Sequence, residues 1–166
     1  VINVDIDIPS RDIMTLAVMR FDDKLIQDNA VKGVFIKTIS NPDAGEMLAM
    51  IMTNELLPWN TYKILTRSEV KDKIRVGGAK EEELVNRGDY TALGKILKAD
   101  AVVIGKIHIF DLSRMTVYER GDVSFTAECL DTKNGKILWS VEANESASYK
   151  DEIELASKVV KETIEK

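Results

Sequence analysis

The sequence predicts an α/β domain: a mixed five-stranded sheet, with parallel crossovers first and an antiparallel meander after, and helices packed on it. Three observations predict it. Residues 13–21 (IMTLAVMRF) are apolar on both faces until Arg20, the mark of a central strand covered on both sides. Two strand–helix–strand crossovers then follow, a connection that makes their strands parallel. Residues 116–143 alternate apolar and polar around an Asn-Gly pair, as an antiparallel hairpin with one wet face does.

The elements follow in order. Ile2, Val4, Ile6 and Ile8 alternate with Asn3, Asp5 and Asp7 and are closed by Pro9. Residues 1–12 are therefore an N-terminal extended segment: a docked edge strand or a loose tether. Residues 13–166 form the single domain. Asp22 and Asp23 end the first central strand, and Val34–Ile39 is a short strand or an ordered loop. Asn41-Pro42-Asp43 starts a helix, with Asn41 as cap and Pro42 in the first turn. Ala44, Met47, Leu48, Ile51 and Met52 recur at helical spacing until Leu57-Pro58. Thr61–Thr66 is a second strand. Ser68 caps a helix to about Arg75, Glu81–Val85 adds a turn, and Asp89 caps Tyr90–Lys98. Ala99–Phe110 is the third strand, with Ala101, Val103, Gly105, Ile107 and Ile109 on one face. The hairpin pairs Thr116–Asp131 with Lys136–Ala143 through Asn134-Gly135, and a helix over Tyr149–Ile164 closes the chain.

Composition narrows the function. At 166 residues and 45% hydrophobic content the chain is long enough for a real core. A net charge of −5 argues against a nucleic-acid partner, which needs a basic face to replace phosphate counterions. One Cys makes an internal disulfide impossible, and with one His, serine- or cysteine-type catalysis would have to use His108 as its base or do without His. No run approaches the ~20 apolar residues of a spanning helix. The chain starts at Val1, which is consistent with a removed leader.

Motifs with chemistry are scarce. Gly77-Gly78-Ala79-Lys80 lacks the spacing of a phosphate loop. The first strand ends in Phe21-Asp22-Asp23-Lys24, where two carboxylates repel phosphate, so no dinucleotide site is expected. Cys129 lies on a buried strand face with no cation to lower its pKa. Asp22, Asp23, Asp111 and His108 together offer a metal-dependent hydrolase as an alternative, since ligands gather at the C-terminal ends of parallel strands. Glu81-Glu82-Glu83 reads as a solvated helix face. Met47 and Met52 pack inward while Met50 lies off the stripe. Trp59 and Tyr62 flank a turn, either as anchors for a partner or stacked on Pro58 and the helix end. No cofactor is expected, and no metal in the favoured reading.

Four segments in order resemble a known family. They are LAVMRFDD (Leu16–Asp23), YKILTRSEV (Tyr62–Val70), LGKILKADAVVIGKI (Leu93–Ile107) and CLDTKNGKILWS (Cys129–Ser140). Together they are similar to the curli-secretion lipoprotein CsgG, the lipoprotein activators of penicillin-binding proteins and the amino-terminal domain of TolB. The resemblance implies an anticodon-binding-domain-like layer architecture. It also implies a periplasmic domain, outer-membrane-anchored through a lipidated Cys upstream of Val1, that touches the membrane only through that anchor. One departure matters. Neither the charged connection Arg75–Asp89 nor the segment Arg114–Asp122 offers the ~9–11-residue alternating strands of a lipid-facing barrel, so no pore is expected.

These readings converge on a non-enzymatic, periplasm-facing lipoprotein domain. It would bind another envelope protein in secretion, transport or cell-wall assembly. The expected binding face is Arg20, Asp22, Asp23 and Arg67, with pairing of Arg67 to Asp22 or Asp23 as the ordinary structural use of that Arg. A homo-oligomer through the edge strand Val1–Ile8 is also expected to be possible. A small-molecule sensor is the third reading, besides the hydrolase.

Overall fold

The computed structural model describes residues 2–6, 14–26, 43–59, 62–114, 119–148, 157, 160 and 161. The expectations for Val34–Ile39, for Asn41 and Pro42, and for most of the final helix fall outside these residues. The sheet has strands β1 (Ile2–Ile6), β2 (Met14–Val18), β3 (Tyr62–Leu65), β4 (Ala101–Arg114), β5 (Glu119–Asp131) and β6 (Ile137–Ser148), in the order β1-β6-β5-β4-β2-β3. The five expected strands form its body. β1 adds a sixth at the edge, antiparallel to β6 with Ile2 opposite Ala143.

β2 runs parallel to both β3 and β4, and β4, β5 and β6 form the antiparallel meander. Helix α1 (Ala44–Leu56) lies on one face, and α2 (Arg67–Val76) and α4 (Tyr90–Leu97) lie on the other. The short α3 (Glu81–Asn86) links α2 to α4. Alternation along β2 explains both layers. Leu16 and Val18 join Leu48, Met52 and Val160 in one core, while Ala17 and Met19 join Val70, Ile74, Leu93 and Leu97 in the other. Phe21 joins the two halves of the first core. Its ring lies over Gly105, where any Cβ would collide with it, and meets Phe125 edge-on at 5.8 Å between centroids.

Local chemistry departs from expectation in several places. Ser68 is not the cap of α2. Thr66 is, in a reciprocal box in which its hydroxyl accepts from the Glu69 N–H and the Glu69 carboxylate accepts from the Thr66 N–H. Arg67 is the first residue of the helix that follows this cap. α1 starts after Asp43, whose side chain makes no cap bond. The Asn134-Gly135 turn is longer than a two-residue hairpin: only Gly135 has positive φ, and its N–H bonds to the Asp131 carbonyl. In β4 the register shifts between Ile107 and Ile109, which leaves His108 as an extra residue and pairs Ile109 with Ser124, a neighbour on the polar face. Ile109 is therefore exposed instead of lining the core.

Candidate functional site

β2 and β3 are adjacent parallel strands whose C-terminal connections leave on opposite faces, to α1 and to α2. In open α/β sheets the crevice at such a point is the usual ligand site. The four residues expected to form a binding face all belong to segments that converge there. Arg20, Asp22 and Asp23 follow β2, and Arg67 follows β3.

Arg67 is the centre of the arrangement and is only 5% exposed. Its Nη1 donates to the Val18 carbonyl at 2.7 Å and to Glu81 Oε1 at 2.8 Å. Nη2 donates to Glu81 Oε2 at 3.0 Å and to Glu46 Oε2 at 2.7 Å, and Nε donates to Glu46 Oε1 at 3.2 Å. All five guanidinium donors are thus engaged, in two forked carboxylate pairs and a strand carbonyl. Glu81 also accepts from the Arg20 N–H at 2.6 Å, and Lys71 pairs with Glu46 at 2.8 Å. Two cations, Arg67 and Lys71, balance two carboxylates, Glu46 and Glu81. Burial works against the Arg67 charge, but the bonds from Glu81 and Glu46 outweigh it and hold the group firmly protonated. Burial likewise opposes ionisation of Glu46, and bonds from Arg67 and Lys71 reverse the effect, leaving its carboxyl below its usual range.

Arg67 pairs with neither Asp22 nor Asp23, the partners that adjacency along the strands offered. Asp23 is instead a buried anchor. Its Oδ2 accepts from the Gly45 N–H at 3.0 Å, at the start of α1, and from Arg20 Nη2 at 3.1 Å. The carboxylate occupies the place at a helix N-terminus that an anionic ligand takes in many α/β proteins. Gly45 allows this approach, because a Cβ there would run into the Phe21 carbonyl. Asp22 is tied through its backbone to Gly105 and Ile107 of β4, and its Oδ1 accepts from the Lys24 N–H.

What remains open to solvent is a rim. Arg20 exposes about a third of its side chain (34%), Asp22 is half-buried, and Lys24 pairs with Glu82 at the surface. Together with Val85 and Asn86 they line a crevice of about 40 Å³, room for a few waters but not for an organic substrate. Asp23 is held by Arg20 and Gly45, and His108 Nε2 lies 3.2 Å from Thr126 Oγ1, so each already has a partner. The side chain of Asp111 lies outside the described residues. Among the described residues no three His, Cys, Asp or Glu side chains are placed to hold a metal ion, and no helix is long and apolar enough to cross a membrane. Burial, with the Asp131 charge adding, pushes the Cys129 thiol up to about 12, so it is a packed hydrophobe at neutral pH.

Glu46 and Glu81 are the site residues that sequence reasoning missed. Glu46 had a signal, as the acidic residue in the first turn of α1, whereas nothing in the sequence singled out Glu81 from Glu82 and Glu83, which share its turn.

No protein-family model and no curated protein sequence matches the chain. Solved structures do match it in fold. The PelC dodecamer from Paraburkholderia phytofirmans is similar over 99% of this chain and 94% of its own, with a TM-score of 0.65 and 14% identity. Lipoprotein GNA1162 from Neisseria meningitidis is similar over 92% of this chain and 99% of its own, with a TM-score of 0.62 and 18% identity. Protein XCC0632 from Xanthomonas campestris is similar over 92% and 82%, with a TM-score of 0.53 and 10% identity. The chain therefore has a fold also seen in a bacterial lipoprotein. At these identities the likeness is one of fold, and function on a shared fold varies.

Proposed function

We propose that this chain is a non-enzymatic, periplasm-facing lipoprotein domain that binds another envelope protein and self-assembles. Fold likeness to a lipoprotein, GNA1162, over nearly the whole chain is the observation that carries the reading. The PelC dodecamer supports the self-assembly. The switch-point crevice supports a binding role over a catalytic one, because internal ion pairs fill the place where a small substrate would sit. The partner-facing residues are then the rim groups Arg20 and Asp22, while Asp23 and Arg67 hold the rim in shape. Kinship with CsgG and TolB, outer-membrane anchoring through an upstream lipidated Cys, a role in secretion, transport or cell-wall assembly, and the division into a segment 1–12 and a domain 13–166 belong to the same proposal.

The test has two parts. Metabolic labelling of the full gene product with a radioactive fatty acid should mark it, and loss of the upstream Cys should abolish the label. Cross-linking in intact cells should then trap an envelope protein with the wild type and not with Arg20→Glu/Asp22→Lys. An unlabelled product, or trapping that is indifferent to the rim, would count against the reading.

A further inference from the structure

Helix α1 is apolar on the side that faces water. Its inner face, with Leu48, Ala49, Met52 and Leu56, is buried against the sheet. On the outer side Met50 is 47% exposed and Leu57 is 45% exposed, and Trp59 just beyond is 41% exposed. Met50 and Leu57 are seven residues apart, about two helical turns, so they lie on one line with exposed Asn54 between them. Half-buried Met47 and Ile51 widen that line. A helix apolar on both faces is ordinarily covered on both. Its carboxylates lie elsewhere: Glu46 turns to Arg67 and Lys71, and Glu55 sits half-buried on the flank.

We infer that this stripe is where a second copy of the chain docks, outer face of α1 against outer face of α1 about a two-fold axis. The inference rests on the self-assembly proposed above and names its surface. Charge argues for the occupant. Each copy carries a net charge of −5, so copies repel wherever acidic surface meets, and an uncharged stripe is complementary to itself. A bilayer is the poorer occupant, since interfacial helices flank their apolar face with Lys and Arg, and α1 has neither. One stripe on one helix falls short of the roughly 800 Å² per partner of a standard interface, so the contact is weak and concentration-dependent.

Sedimentation velocity on the wild type and on Met50→Lys/Leu57→Lys tests it, across micromolar to sub-millimolar concentrations and with circular dichroism as the check on folding. The wild type should rise to at least two copies, while the variant stays at the single-chain mass of 18.6 kDa. A second variant, Asn54→Cys, alters one exposed position, and Cys129 is buried and unreactive. A short bismaleimide should join two Asn54→Cys chains and leave the wild type unjoined. A wild type that stays single at every concentration overturns both this surface and the self-assembly reading. Assembly that survives in the lysine variant, with no Asn54→Cys product, overturns the surface alone and leaves another face, such as the β1 edge, to mediate assembly. Flotation of single chains with phosphatidylcholine vesicles, lost in the lysine variant, assigns the stripe to lipid and likewise overturns the inference.

Discussion

The parallel and antiparallel halves of the sheet are held together in different ways. Where β2 and β3 end, three helices meet the sheet around Arg67, Glu46, Glu81 and Asp23, and each of these bonds joins two different elements or segments, 14 to 49 residues apart. In the meander, β4, β5 and β6 are long neighbours with regular ladders, and the core beneath them is Phe125, Ala127, Cys129, Val141 and Ala143. Besides the apolar cores on either face of β2, the first half depends on charge state and on a few buried polar atoms. The second depends on buried apolar area, which is insensitive to pH and spread over many residues.

Arg67→Ala should show the difference most strongly. It leaves Glu46 and Glu81 without their main cation, and breaking such a buried pair costs about 3–5 kcal/mol in urea unfolding. Phe125→Ala in the other half should cost a similar amount, about 3–5 kcal/mol, through lost packing. The two should part on acidification. Glu46 has a folded pKa below its ordinary 4.5, so its contribution is present above 4.5 and is lost as pH falls through the lowered folded value. Stability measured from neutral pH down to about pH 3 should fall in the wild type and in Phe125→Ala, and should fall less in Arg67→Ala, where Glu46 keeps only Lys71. Parallel acid curves for all three proteins would break the contrast.

Gly45→Ala should come next. Its Cβ meets the Phe21 carbonyl, which is backbone and cannot swing aside, so overpacking of about 1–3 kcal/mol is expected from denaturant melts. Hydrogen exchange should place the loosening at the start of α1 and leave β5 and β6 protected. Thr66→Ala is the smallest of the series. It removes half of a capping box at the exposed start of α2 and should lower stability by about 1 kcal/mol. A larger loss would mean that the box also sets the position of Arg67.

Much of this was legible in the chain itself. The two-sided apolar run before Arg20 marked the central strand β2, alternation marked the meander, and Asp89 marked the start of α4. These signals are local, written at the period of the element that reads them. Harder to read were the roles of charged residues. Glu81 looked like one of three equivalent glutamates, because a six-residue helix is too short for periodicity to say which one turns inward. Arg67 and Asp23 looked like neighbours in a common binding face, yet each is consumed by a partner in α1 or α3. The bulge at His108, which turns Ile109 outward, has no sequence signature at all.

By itself, then, the sequence determined the class of fold, the order of its strands and helices and the inward face of most of them, because backbone period is set within a few residues. Only the tertiary structure decided which charges pair, which carboxylate fills the helix N-terminus and which apolar residues of α1 are exposed. Those outcomes depend on distances between segments 14 to 61 residues apart, which no local pattern encodes.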